Sequence, residues 1–214
     1  MSEITKRFLT SVILFIILIL SIYSKIILTL FLLLCFYQMT YEFYLLFSKL
    51  FKKKKKIIYL SMFLILIINS YLILFVWNSI LGNNFDQKII FYLIICITIC
   101  SDIGGYTFGK IFKGKKLSKI SPNKTYAGAV GSYVLSLIIG YLLFKNHLVF
   151  DKLIIYILVV STTSQIGDLI ISFLKRNANL KDTSNLLPGH GGLLDRFDGL
   201  ILAIPVGTFL YYIL

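Results

Sequence analysis

Apolar residues run along this chain in long blocks, broken by short polar stretches. A bilayer core of about 30 Å needs about 20 apolar residues at 1.5 Å of helical rise each. That ruler predicts seven membrane-spanning helices, at about 8–24, 26–47, 57–77, 89–109, 125–144, 153–174 and 199–214. Only Ser24 and Lys25 separate the first two, so a re-entrant pair is the alternative there.

Composition narrows the class. Hydrophobic residues make up 58% of the 214 residues, charged residues 14%, and the mean hydropathy is +0.88. Too little polar surface exists to cover a soluble globule of this size, which excludes a soluble domain. Segments that stay unfolded in water combine high charge with low hydrophobicity, the reverse of this chain. The predicted fold is an all-α, polytopic integral membrane protein with about seven transmembrane helices and a polar cavity facing the cytoplasm.

The formal net charge of +13 then acquires a meaning other than nucleic-acid binding. With seven spans and a cytoplasmic N-terminus, eighteen Lys and Arg fall on the cytoplasmic side and four (Lys25, Lys88, Lys145, Lys152) on the other. The positive-inside rule favours this orientation. The run Lys52 to Lys56 reads as a topology determinant touching anionic lipid. Cys35, Cys96 and Cys100 sit inside apolar runs and read as small core residues. Lys6, Arg7 and the apolar run after them resemble a signal peptide, but no small-residue cleavage site closes the run, so it reads as a retained span.

Polar chemistry concentrates in one part of the chain. Residues 1–88 are nearly all Ile, Leu, Phe, Tyr and Lys, whereas 89–214 hold most of the glycines, both histidines and most of the acids. Ionisable groups inside spans are costly in lipid and mark function by default. They are Glu42, Asp102 and Asp168. Glu42, near the lysine run, reads as a structural or interfacial group. Asp102 precedes the pair Gly104-Gly105, which admits either a packed helix or a ligand. Asp168 ends the polar stretch 161–168, and Ser164, Asp168 and Ser172 share one helical face that Lys175 joins a turn later.

The chain then enters a polar loop, 176–198, in which Lys181, Asp182, His190, Asp195, Arg196 and Asp198 surround Pro188-Gly189-His190-Gly191-Gly192. Glycines at that density allow successive backbone N–H groups to converge on an anion, or simply make a tight turn. Carboxylates and cations together suit a divalent ion with phosphates, or internal salt bridges tying loop to helix. A second basic loop contains Lys110, Lys115, Lys116 and Ser121-Pro122-Asn123-Lys124-Thr125, and Lys124 at a helix entry is well placed for an anion. His190 is the sole histidine of these two loops and His147 lies in a loop on the other face, which argues against a His-based zinc site.

The pattern Ser172-x2-Lys175-Arg176-x4-Lys181-Asp182-x5-Pro188-Gly189-His190-Gly191-Gly192-x2-Asp195-Arg196-x-Asp198 resembles the signature of the phosphatidate cytidylyltransferase, or CDP-diacylglycerol synthase, family. Two further blocks agree in order: Asp102 to Tyr106 with Gly109-Lys110, and Ser121 to Thr125 with Gly128. The likeness is strong over about 98–214 and extends to the N-terminal half only in hydropathy. Ile171 stands where many members carry a glutamate, and Ala127 where many carry Glu or Gln.

The resemblance implies transfer of CMP from CTP to phosphatidate, giving CDP-diacylglycerol and pyrophosphate, with Mg²⁺ as cofactor. It also implies roles. Asp168, Asp195 and Asp198 would be metal ligands. Lys124, Lys175, Arg176 and Arg196 would hold triphosphate or lipid phosphate. Ser121, Thr125, Ser172, Lys181, Asp182 and Asp102 would line the substrate, and Gly189, His190, Gly191 and Gly192 the leaving pyrophosphate. The expected setting is the inner (cytoplasmic) membrane, among membrane lipids, with the active site cytoplasmic, no nucleic-acid partner and a homodimer as the assembly. The rivals are another CTP-dependent lipid enzyme, such as a polyprenol kinase or a non-diacyl CDP-lipid synthase, and a proton-coupled carrier using the intramembrane acids.

Overall fold

The structure, a computed structural model, describes residues 24–52, 54–117, 121, 124–186 and 191–214, with Val12, Ile16 and Leu20. Apart from those three residues and Ser24, the first expected span lies outside the described residues. The rest is helical: α1 (Lys25–Leu50), α2 (Lys55–Leu81), α3 (Phe85–Phe112), α4 (Tyr126–Phe144), α5 (Phe150–Asn177), α6 (Leu194–Phe197) and α7 (Leu200–Ile213). Among the described residues no strand is named and six stretches are long and apolar enough to cross a membrane, α6 and α7 counting together as Leu194–Ile213. A helix satisfies its own backbone hydrogen bonds, which is what a chain this apolar needs in lipid. The protein is an all-α integral membrane protein.

The helices overrun the apolar blocks. The expected 57–77 becomes Lys55–Leu81, 89–109 becomes Phe85–Phe112, and 153–174 becomes Phe150–Asn177. The hydropathy ruler measures hydrocarbon thickness, whereas a helix continues into the headgroup layer, where its end groups meet water.

Two compact units divide the chain. One comprises Met1–Asn84 with Leu174–Phe197, the other Phe85–Phe173 with Asp198–Leu214. In the first, α1 packs on α2. Its buried seam runs Leu28, Leu32, Cys35, Met39, Glu42, Leu46, alternating steps of four and three as a supercoiled contact requires. One acid therefore occupies a core position. Trp77 Nε1 donates to Thr29 Oγ1 at 3.1 Å across the same pair. The outer faces carry Ile26, Leu34, Tyr59, Leu60 and Phe63, all exposed, as lipid contact predicts.

In the second unit α3 is the central helix and packs on α4 and α7. The α3–α4 crossing is close because glycines meet glycines. A Cβ at Gly104 would run into the Gly131 carbonyl, and one at Gly128 would lie 2.6 Å from the Gly105 oxygen. Hydroxyls stitch the same crossing: Ser132 Oγ donates to the Ser101 carbonyl at 2.6 Å and Ser136 Oγ to the Ile97 carbonyl at 3.2 Å. Van der Waals contact and interhelical hydrogen bonds drive helix association in lipid, where no hydrophobic effect operates between helices.

Candidate active site

The second unit contains a cleft of about 260 Å³ where α3, α4, α5 and the basic loop meet. Its chemistry comes from Ser101, Asp102, Ser121, Lys124, Gln165 and Asp168. Pockets for whole small ligands run from roughly 300 to 1,000 Å³, so this one suits a phosphate-bearing head more than a complete nucleotide. Gly105 and Gly128 form part of its wall. Of the two alternatives for the glycine pair, helix packing is the one the structure shows, with Gly104 against Gly131 and Gly105 against Ser132, and Gly105 also lines the cleft.

Local folding places Lys124 at the cleft. The basic loop closes on itself through Leu117 N to Lys124 O at 2.8 Å, Tyr126 N to Lys115 O at 3.1 Å and Lys124 N to Ser121 O at 3.1 Å. Thr125 caps α4, its Oγ1 accepting from Gly128 N at 3.1 Å. Lys124 thus stands one residue before a helix N-terminus, where the helix dipole also favours an anion. Its ammonium forms an ion pair with Asp168 Oδ2, each side chain 28% exposed. Asp168 Oδ1 accepts from Ser172 Oγ at 3.2 Å, one turn along α5, as the shared helical face predicts. Ser164, a turn the other way, is buried against Gly199.

The ligand atoms this cleft offers a cation are oxygens: two carboxylates, four hydroxyls and an amide. Mg²⁺ takes hard oxygen ligands and is commonly held by one or two carboxylates plus substrate phosphates and water. Asp102 and Asp168 fit that ion. Among the described residues no three His, Cys, Asp or Glu side chains gather as a complete cage.

A separate polar cluster forms in the first unit. Helix α5 ends in a Schellman motif, with Leu180 N donating to Lys175 O at 2.9 Å and Asn179 N to Arg176 O at 3.0 Å. Asn179 takes the left-handed conformation at φ 55° that this ending requires. Arg176 Nη1 also donates to the Leu180 carbonyl at 3.3 Å. The turn brings Lys175 to Asp195, Nζ to Oδ1 at 2.6 Å, both side chains nearly buried. Asp195 Oδ2 accepts from Thr183 N at 2.9 Å, Thr183 Oγ1 at 3.0 Å and Gly192 N at 3.0 Å. For Lys175 and Asp195 the salt bridge tying loop to helix is what forms.

Glu42 completes this cluster, although the sequence assigned it no part in the chemistry. It is fully buried, and its Oε1 accepts from Gln38 Nε2 at 2.7 Å, Ser184 Oγ at 2.7 Å and Leu193 N at 3.0 Å. Its Oε2 accepts from Thr183 Oγ1 and Leu194 N, both at 2.8 Å. The backbone N–H groups of Gly192, Leu193 and Leu194 donate to two of the chain's own carboxylates, Asp195 and Glu42. Gly192 allows it, since a Cβ there would strike Thr183 Oγ1 and Glu42 Oε2. Gly191 stands at φ 84°, in the left-handed region.

The expected site residues thus fall into two groups. Asp102, Ser121, Lys124, Thr125 and Asp168 line the cleft, with Ser172 bonded to Asp168. Lys175, Asp195, Gly191 and Gly192 belong to the loop cluster, with Lys181 and Asp182 exposed before Thr183 and Arg196 exposed after Asp195. Asp198 lies in the second unit, its Oδ1 accepting from Gly199 N at 2.8 Å. Gly189 and His190 lie outside the described residues. The structure adds Ser101, Tyr106 and Gln165 to the cleft and Glu42, Thr183 and Ser184 to the loop. Gln165 had a signal, standing three residues before Asp168 in the polar stretch of α5.

Comparison with known proteins bears on the whole chain. The cytidylyltransferase family profile matches residues 1–214. A phosphatidate cytidylyltransferase of Bacillus subtilis (strain 168) is 40% identical over 138 residues, covering 62% of this chain and 50% of that protein. One from Rickettsia typhi is 38% identical over 136 residues, covering 59% and 60%. One from Haemophilus influenzae is 37% identical over 120 residues, covering 52% and 42%. The chain thus spans about half the length of these relatives. The match along the full sequence, the oxygen-lined cleft and the loop ordered around Asp195 agree: this chain belongs to the cytidylyltransferase family.

Proposed function

We propose that this protein transfers CMP from CTP to phosphatidate, forming CDP-diacylglycerol and pyrophosphate, with Mg²⁺ as cofactor. The observation that carries the reading is the Lys124–Asp168 pair in a cleft that Asp102 also lines, in a chain of this family. The lipid supplies its own nucleophile. A non-bridging oxygen of its phosphate monoester attacks the α-phosphorus of CTP in line, the new P–O bond forms as the α–β anhydride bond breaks, and the electron pair leaves with pyrophosphate. Little covalent work falls to the protein, so catalysis is positioning and charge neutralisation.

Asp168 and Asp102 would hold Mg²⁺, which when bound offsets the charge of the phosphates. Lys124 is paired with Asp168 in the free protein; a bound phosphate would take over the ammonium and leave the carboxylate available to hold the cation. Each charge keeps a partner throughout, which avoids the cost of an unpaired ion in a low-dielectric site. Ser121, Thr125 and Ser172 offer hydroxyls to the same anions. The family likeness also implies metal-ligand roles for Asp195 and Asp198. Lys175, Arg176 and Arg196 would then bind phosphate, Lys181 and Asp182 would border the substrate, and Gly189 to Gly192 with His190 would border pyrophosphate.

The proposed setting is a bacterial inner membrane, with seven spans, the N-terminus and the catalytic loops in the cytoplasm, and a homodimer as the assembly. The decisive experiment supplies purified protein with Mg²⁺, phosphatidate and CTP labelled at the α-phosphate. Label is expected in the lipid fraction. Label found only in free nucleotide overturns the reading, and transfer to polyprenol phosphate but not to phosphatidate would move it to a different lipid.

A further inference from the structure

We propose that Glu42 is a positioning residue for cytidylyl transfer, acting through the loop that carries Asp195. The proposal rests on the activity proposed above and adds to it a residue from the N-terminal half, where the family signature has no part.

Five donors reach the Glu42 carboxylate, three at Oε1 and two at Oε2. Two carboxylate oxygens offer about four lone-pair sites, so nothing is left over for a substrate or a cation. Full burial excludes solvent from it as well. Glu42 therefore works through what it holds. Four of its five donors come from 183–194, the segment leading into Asp195.

Among the described residues of the segment, 183–186 and 191–193 form no helix and include Gly191 and Gly192, so side-chain acceptors help to set their conformation. Glu42 does so at both ends, gripping the Thr183 and Ser184 hydroxyls at one and the Leu193 and Leu194 amides at the other. The grip extends to Asp195 through one atom. Thr183 Oγ1 lies 2.8 Å from Glu42 Oε2 and 3.0 Å from Asp195 Oδ2, so the two carboxylates share its single proton. Gly192 N adds a second tie to Asp195 from the same stretch. The acid in the α1 seam thus fixes the direction of Asp195, and Lys175 closes the arrangement.

Charge is what a substitute would lack. Glu42→Gln keeps the size but puts an NH₂ donor where donors already point, leaving at least one N–H or O–H without an acceptor. Glu42→Asp keeps both acceptors and withdraws them by one methylene.

The test uses full-length protein in detergent or vesicles, with activity expressed per monodisperse, folded molecule. A misplacement of about 1 Å costs about 100-fold in rate, so Glu42→Gln is expected to lower kcat by about that factor with the CTP KM within about threefold. Glu42→Asp is expected to recover part of the loss. In a double-mutant cycle, Thr183→Val combined with Glu42→Gln should add little to the worse single loss, because both break one chain of contacts. Trypsin cleavage after the exposed Lys181 reports loop order without activity and should quicken in Glu42→Gln. A kcat per folded molecule within twofold of wild type, or additive losses in the cycle, would show that Glu42 serves stability alone and overturn the proposal. Should wild-type protein move no label from CTP to phosphatidate, the activity reading fails by itself; unchanged trypsin cleavage in Glu42→Gln then overturns the loop-holding claim independently.

Discussion

Lys124 and Asp168 form an ion pair across the cleft between the basic loop and α5, and each has its own means of being held there. Lys124 precedes the Thr125 cap of α4, and Asp168 takes a hydrogen bond from Ser172. The pair is poised between burial and solvent, which suits groups that exchange partners when substrate binds.

Replacing Lys124 by Ala should therefore do more to transfer than to stability. A part-exposed pair contributes about 0–1 kcal/mol to folding. Loss of a phosphate-binding cation at the reacting centre should instead lower kcat/KM by about 100-fold, in line with removal of one electrostatic contact to developing charge. Lys124→Arg should retain part of the activity. Steady-state rates with labelled CTP, beside thermal melting of the same preparations, check both halves; a melting shift with unchanged kcat/KM would refute the assignment.

The α3–α4 crossing offers a stability prediction. Gly104 approaches the Gly131 backbone with no room for a methyl group, and the obstacle is main chain that cannot rotate away. Gly104→Ala should destabilise by about 1–3 kcal/mol, the usual cost of overpacking. Gly114→Ala, at a glycine with open space around its α-carbon, meets no such obstacle and costs only its left-handed backbone at φ 107°. Melting temperatures of the two variants in one detergent should rank Gly104→Ala lower, and the reverse order would contradict the packing account.

The Lys175–Asp195 bridge separates structure from chemistry more sharply. Both side chains are nearly buried, so removing one partner strands a charge, at about 3–5 kcal/mol. Lys175→Met alone should destabilise by about that amount. Lys175→Met with Asp195→Leu should restore only part of the stability, since it removes the stranded charge but leaves the Thr183 and Gly192 donors without their acceptor. Activity should stay absent in both. Recovery of transfer in the double variant would remove Asp195 from the proposed ligand set.

These cases mark how far the sequence reached. The described spans were legible because the bilayer imposes one length on every helix that crosses it. The place of Lys124 at a helix entry is legible too, because it is local; the Thr125 cap is a finding of the structure. The cleft residues Asp102 and Asp168 announced themselves as acids inside apolar runs. Glu42 stands out in the same way, but the sequence leaves it a structural or interfacial group, since its hydrogen-bond partners at Thr183 and Leu194 lie 141 and 152 residues away. Its place in the seam at 39, 42 and 46 was a usable signal: an acid on a buried stripe must have donors somewhere. The salt-bridge alternative for Lys175 and Asp195 could not be decided from spacing, because the turn that joins them depends on Asn179 adopting a left-handed conformation.

Orientation rests on charge alone and can be tested by charge. Lys and Arg are concentrated in the loops proposed as cytoplasmic, and each such residue near a span end opposes translocation. Single cysteines placed at Lys54 and at Asn146, in a background with Cys35, Cys96 and Cys100 replaced, should report opposite sides. An impermeant maleimide applied to intact spheroplasts should label the Asn146 position and leave the Lys54 position unlabelled until the membrane is opened. Equal labelling of both would refute the proposed topology, and labelling of Lys54 alone would invert it, placing the basic loop and Lys124 on the side where no CTP is available.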